Sequence, residues 1–242
     1  MSMTQSQRRI DKVASPIAQK RQAQLLLPHT IVQFDELDSP SRHQLEQFVS
    51  TCFRGAFEAD VHSHLPYFLS AYSNTALAST LGFQPVPQDR PIFLEQYLDC
   101  AVEHAIFLET NSTVSRQKVV EIGSLSSARK GFSELIFILI AAILYKAGYE
   151  WVVFTATQQV QQLVDKLQLT TYELCDADPM RLEDKGRSWG HYYDNNPKVL
   201  AGNLHYGMTI LSQHHVASFM MDNYQHTINN YADKLAKLTA NV

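Results

Sequence analysis

The chain has 242 residues, of which 45% are hydrophobic and 18% charged, with nine glycines and nine prolines. That composition excludes a disordered chain, a collagen-like repeat and a coiled coil, and the length suits one domain able to bury a core without staples. A net charge of −4 gives the chain as a whole no field that would gather nucleic acid. Cys52, Cys100 and Cys175 stand far apart, which indicates neither a disulfide framework nor a structural zinc site.

The N-terminal arm, residues 1–28, carries Arg8, Arg9, Lys12, Lys20 and Arg21 against Asp11. It suits a solvated tail, a helix lying on the protein's own acidic body, or contact with a membrane surface or an acidic partner. Leu25–Leu27 is too short for the apolar part of a signal peptide, so a cytoplasmic location is the expectation. Ile31–Leu37 reads as a strand, ended by Asp38-Ser39-Pro40, with Ser39 as N-cap and Pro40 at the first helical position. Leu45, Phe48, Val49, Cys52, Phe53, Ala56 and Phe57 then recur at helical spacing and form one apolar face.

Tyr67–Tyr72 and Ala76–Val86 predict an antiparallel hairpin around Ser73-Asn74. Residues 92–110 are ambiguous in period, with a short helix expected over Val102–Phe107. Lys118–Leu125 is a strand that passes through Ser-Ser-Ala-Arg-Lys-Gly into a buried helix from Phe132 to Ala147, terminated by Gly148. The apolar run in that helix, Leu135–Tyr145, is closed by Glu134 and Lys146 and falls short of the ~20 residues that span a bilayer. Trp151–Thr155 is apolar on both faces, as a central strand is. A helical stripe at Val160, Leu163, Val164 and Leu167 follows, then strands at Thr170–Cys175 and Val199–Leu204. Residues 212–238 present Val216, Met220, Ile228 and Leu235 on one side of a C-terminal amphipathic helix with room for one break. The pattern predicts an α/β fold: a single mixed sheet with flanking helices, antiparallel early and partly parallel late.

Three segments offer chemistry. The unit from Val119 to Gly131 brings backbone amides with Arg129 and Lys130 to a helix start, which suits either a phosphate such as that of coenzyme A or phosphopantetheine, or an ordinary cap. Glu121, between Val120 and Ile122, either faces a polar cleft, where burial would raise its pKa toward that of a general base, or lies on a solvated face. Glu95 poses the same question. The polar stretch containing Asp178-Pro179, Arg181, Trp189-Gly190 and Tyr192-Tyr193 is a ligand-facing loop or a packed lid. His62, His64, His214 and His215 lack a completing ligand set, so no metal is expected. A nucleophilic serine has no G-x-S-x-G context.

Phe93-Leu94-Glu95-Gln96-Tyr97-Leu98-Asp99, Val120-Glu121-Ile122-Gly123-Ser124-Leu125, Trp151 to Thr157, Ala177-Asp178-Pro179, Arg181-Leu182, Trp189-Gly190, Tyr192-Tyr193 and Ala201-Gly202 together resemble the thermostable hemolysin family, over about residues 30–205. That family is similar to GNAT acyltransferases and acyl-homoserine lactone synthases. The resemblance implies a GNAT-like, twisted sheet over residues 29–205; outside it, the apolar spacing makes 206–242 a helical extension. The resemblance also implies an N-acyltransferase using acyl-CoA or acyl carrier protein as donor, an amine as acceptor and no tightly bound cofactor. Glu121 or Glu95 would be the base. Leu125, Ser127, Arg129, Lys130 and Gly131 would hold the donor, the Leu125 amide polarising its carbonyl, with Trp151, Arg181, Trp189 and Tyr193 at the substrates. Arg129-Lys130-Gly131 departs from the GNAT phosphate-loop spacing, and Gln168 stands where these families place glycine. The family name implies a membrane-active cytolysin instead, and a noncatalytic binding module is the third alternative.

Overall fold

The computed structural model describes residues 30–240, and the basic arm lies outside the described residues. In chain order the elements are β1 (Thr30–Asp35), α1 (Arg42–Phe57), β2 (Tyr67–Ser73), β3 (Ala76–Pro85), α2 (Val102–Thr110), β4 (Val119–Ser127), α3 (Phe132–Lys146), β5 (Trp151–Ala156), α4 (Gln158–Lys166), β6 (Tyr172–Asp176), β7 (Lys198–Asn203), α5 (Leu204–Gln213), α6 (His215–Asn223) and α7 (Gln225–Ala240). Short 3-10 turns at Phe93–Tyr97, Arg187–Trp189 and Tyr192–Asn195 punctuate the connections.

The strands form one mixed sheet in the order β1-β2-β3-β4-β5-β7-β6. β1 to β4 are antiparallel, as the hairpin signal requires, and Asn74 and Thr75 both take positive φ in its two-residue turn. Of the later strands only β4 and β5 pair in parallel. The long connection from residue 177 to 197 lets β7 insert between β5 and β6, antiparallel to both.

Period-two alternation divides the sheet into two cores. Val120, Ile122, Val152 and Phe154 pack with α3 to α7 on one face. Val119, Trp151 and Val153 pack with α2 and the Phe93–Tyr97 turn on the other, where α1 also docks through Leu45 and Val49 against Phe68. α3 is buried along nearly its whole length, which explains its uninterrupted apolar run.

Three local expectations change. The first helix begins at Arg42 rather than Pro40, because Ser39 closes a turn: its Oγ accepts from the Glu36 amide at 2.8 Å. Ser41, now the N-cap, donates its hydroxyl to Asp35 instead of capping. The C-terminal helix is three helices, broken at His214 and Tyr224, and Ile228, Ala232 and Leu235 are core.

Candidate active site

β4 and β5 part company after three residue pairs. Val119, Val120 and Glu121 face Trp151, Val152 and Val153, and there the pairing between the two strands ends. Each strand keeps its outer neighbour: β4 stays on β3 as far as Ser127, and β5 stays on β7 as far as Ala156. A bulge marks the divergence. Between Thr80 and Gly82 the register advances two residues on β3 but three on β4, and Ser124 takes φ +54° to absorb the extra residue. The Ala128 amide donates to Ala78 of β3 at 2.9 Å, so the alternation of a ladder turns the neighbouring Ser127 amide toward the open edge.

Two cavities meet at this split. One, of about 230 Å³, runs from Ser133 and Phe137 of α3 between the strands to Phe53 and Phe57 of α1, with Leu125 and Ser127 in its wall. The other, of about 270 Å³, lies on the α1 and α2 face and is walled by Glu121, Gln84, His64, Tyr97 and Trp189. Gly123, Ser124 and Thr155 belong to both. The sheet thus has a passage between its faces where β4 and β5 diverge.

Glu121 stands at the mouth of that passage, 3% exposed. Its carboxylate accepts from Gln84 Nε2 at 2.9 Å and from the Leu94 amide at 3.1 Å. Burial penalises the charged form more than these donors favour it, and the pKa is pushed up to about 7. Such a group accepts a proton readily near neutrality.

Glu95 is built differently. Arg116 grips it with two hydrogen bonds, at 2.6 and 2.8 Å, and the Ile92 and Val102 amides each donate to it at 2.8 Å. Burial alone would raise its pKa, but Arg116 and the amides outweigh it and hold the carboxyl below the ordinary glutamate value. It lies outside the linings of both cavities and ties the 3-10 turn to α2. Glu103 completes the cluster with Arg116 at 2.9 Å.

The remaining anticipated residues divide. Arg129 and Lys130 are exposed on the loop into α3, with Arg129 donating to Ser73 Oγ at 3.1 Å. Gly131, at φ +85°, is the N-cap of α3. Trp189 lines the larger cavity and touches Phe93, its ring centroid 5.8 Å away. Tyr193 reaches it indirectly, its hydroxyl 2.5 Å from that of Tyr97. Trp151 is buried in the second core against Tyr172, outside both linings, because it lies in the paired part of β5. Arg181 is also outside both. It donates to the Gln96 and Leu98 carbonyls and pairs with Asp99 at 2.6 Å, fastening the loop that carries Phe93 and Tyr97.

The lid is seated on α1 at Gly190, where a Cβ would lie 2.2 Å from the Phe57 carbonyl oxygen. The His191 amide donates to that same oxygen at 2.7 Å. This close approach brings Tyr192 against Phe57, with ring centroids 5.1 Å apart. Sequence reading placed Tyr192 in the candidate ligand-facing stretch but gave no site role to Gln84, His64, Tyr97 or Thr155. Only the polar Gln84 in an apolar strand signalled a role; the others look like ordinary core or loop positions until distant segments converge.

Among the described residues no group of three or more His, Cys, Asp or Glu side chains could hold a metal ion. A thermostable hemolysin family model matches residues 36–208. The fold is similar to the crystal structure of the acyl-homoserine lactone synthase LasI, at 13% identity and TM-score 0.50, covering 73% of this chain and 90% of that one. It is also similar to FeeM, an N-acyl amino acid synthase from uncultured soil microbes, at 14% identity and TM-score 0.49, covering 78% of this chain and 98% of that one. A third similar structure is the N-acetylglutamate synthase of Neisseria gonorrhoeae complexed with coenzyme A and N-acetyl-glutamate, at 12% identity and TM-score 0.41, covering 72% of this chain and 35% of that one. No curated protein matches the sequence. With its family model spanning most of the sheet and the split at β4, the chain belongs to the thermostable hemolysin family.

Proposed function

We propose that the protein is an N-acyltransferase that moves an acyl group from a phosphopantetheine thioester, carried by coenzyme A or acyl carrier protein, to an amine. The observation that carries this reading is the passage at the β4–β5 split, with a cavity on either side and Glu121 beside it. The thioester lies along the open edge of β4 in the cavity of Leu125 and Ser127. Arg129, Lys130 and the helix start at Gly131 face its phosphates. The Leu125 amide donates to the thioester carbonyl, where negative charge develops. The amine enters from the Glu121 side.

Amines with a pKa of ~8 to 10 are mostly protonated at pH 7, so a base is needed. Glu121 takes a proton from the ammonium nitrogen, directly or through water. The nitrogen then attacks the carbonyl carbon, the C–N bond forms and the C–S bond breaks. The thiolate leaves as thiol with the second proton, and the products are an amide and free thiol. Glu95, saturated by Arg116 and two amides, acts as a positioning residue for the Phe93–Tyr97 turn. In this reading residues 29–205 form the acyltransferase domain and 206–242 the helical extension, working in the cytoplasm where such donors are made.

The cytolysin alternative follows the family name and needs the C-terminal amphipathic helix and the basic arm, which lies outside the described residues, to insert in a membrane. Met220, Ile228 and Leu235 of the apolar stripe are buried and Val216 is exposed, and among the described residues no helix is long and apolar enough to cross a membrane.

The test is thiol release from a series of acyl-CoA and acyl carrier protein donors with a panel of amines. Release should require both substrates and fall by about 10²- to 10⁴-fold in Glu121→Gln. Absence of donor-dependent release with every pair, while the same variant still ruptures vesicles like the parent, would overturn the reading.

A further inference from the structure

If the protein is an acyltransferase, as proposed, the composition of the cavity on the Glu121 side bears on its acceptor. Phe93, Tyr97, Trp189 and Tyr192 supply the aromatic walls, and Glu121 is the carboxylate. Among the described residues no arginine or lysine lines it. The nearby guanidinium groups are committed elsewhere: Arg42 to the Leu65 and Pro66 carbonyls and Glu46, Arg116 to Glu95, Arg181 to Asp99. His64, also in the wall, has an unpartnered buried Nδ1, and burial lowers its pKa, which disfavours a charged ring.

From this juxtaposition we propose that the acceptor is a small aromatic or alkyl monoamine cation with no acid group, not an amino acid. An ammonium gains from the faces of Trp and Tyr rings and from the Glu121 carboxylate. A substrate carboxylate would lose its hydration, meet no cation and face the like charge of Glu121, so its burial there is uncompensated. The cavity, about 270 Å³, is at the small end of the roughly 300–1,000 Å³ range of ligand pockets. The unpartnered His64 Nδ1 leaves one directional polar contact for the acceptor's body.

The experiment compares phenethylamine with phenylalanine, which differ only in the carboxylate. The protein has two tryptophans, Trp151 in the core and Trp189 in the cavity wall. A Trp151→Phe variant therefore reports the cavity through Trp189 fluorescence, read with no acyl donor at pH 8. Calorimetry on the unaltered chain reads the same binding should that variant fail to fold. Saturable phenethylamine binding at least 100-fold tighter than phenylalanine, weakened 10-fold or more by Glu121→Gln, is the expected result. Equal or tighter binding of phenylalanine, or no saturable binding of phenethylamine by either method, overturns the proposal. Discrimination in binding with no thiol release from any donor would instead overturn the acyltransferase reading while leaving the cavity's preference standing.

Discussion

Gln84 and Glu121 face each other across β3 and β4, and the Gln84 side-chain amide donates to the Glu121 carboxylate at 2.9 Å. The pair sits two residues before the register shift that opens the sheet at Gly123. A buried acid therefore stands beside the place where the central strands separate, held by a donor from its own sheet and by the Leu94 amide from the turn above.

Because burial raises the Glu121 pKa to about 7 from an ordinary 4.5, the folded chain keeps a proton between those values that the unfolded chain has released. Stability from this group is full below about pH 4.5 and declines as pH rises through 7, by about 3 kcal/mol in all. Urea unfolding at pH 5 and pH 8 should show this decline in the parent and a flatter response in Glu121→Gln. In the acyl-transfer assay, activity should rise with pH along a limb near 7 that the variant lacks. An unchanged stability slope in the variant would contradict the buried, neutral acid.

Glu95 has the opposite sign. Its pKa lies below the ordinary value, so its contribution is present above about pH 4.5 and disappears as pH falls below it. Glu95→Gln should cost about 2–4 kcal/mol at pH 7, nearer the lower figure because Glu103 still faces Arg116. Chemical denaturation measures the cost. The pH limb of activity near 7 should keep its position, which separates a positioning carboxylate from a base.

The hydroxyls of Tyr97 and Tyr193 are each other's partners at 2.5 Å, and Tyr97 is 2% exposed. Burial pushes both phenols up, Tyr193 to about 12, so both stay protonated through neutral pH. Tyr193→Phe or Tyr97→Phe should each cost about 1–2 kcal/mol, since either strands a buried hydroxyl. The double variant should cost less than the two together, with a coupling near 1 kcal/mol in a double-mutant cycle of unfolding free energies. Full additivity would mean that the hydroxyls do not depend on one another.

At the end of α4, Leu169 N–H donates to the Val164 carbonyl and Gln168 N–H to that of Asp165, the bonding of a Schellman cap with Gln168 at φ +57°. Glycine meets no steric penalty in this conformation, whereas glutamine does. Gln168→Gly should therefore raise stability by about 1 kcal/mol in thermal or urea unfolding, with thiol release unchanged. A loss of stability would show that the Gln168 side chain makes contacts worth more than the strain.

Periodicity and turn chemistry were enough to place the first helix, the hairpin, the β4–α3 unit and the buried α3 near their observed positions, because those signals are local: spacing of apolar residues, Asn at a tight turn, Gly148 past a helix end. They also singled out Glu121 as a carboxylate in an apolar strand, without deciding which side it faced. Tertiary structure decided that, by bringing Gln84 from 37 residues away and Leu94 from 27 onto its two oxygens. It also parted Glu95 from Glu121, although both are acids in apolar surroundings, since only the first meets an arginine. The insertion of β7 between β5 and β6, the retreat of Trp151 into the core and the seating of the lid on α1 at Gly190 have no local signature. Each depends on which distant surfaces pack together, and a one-dimensional pattern records which face of a segment is buried without recording what buries it.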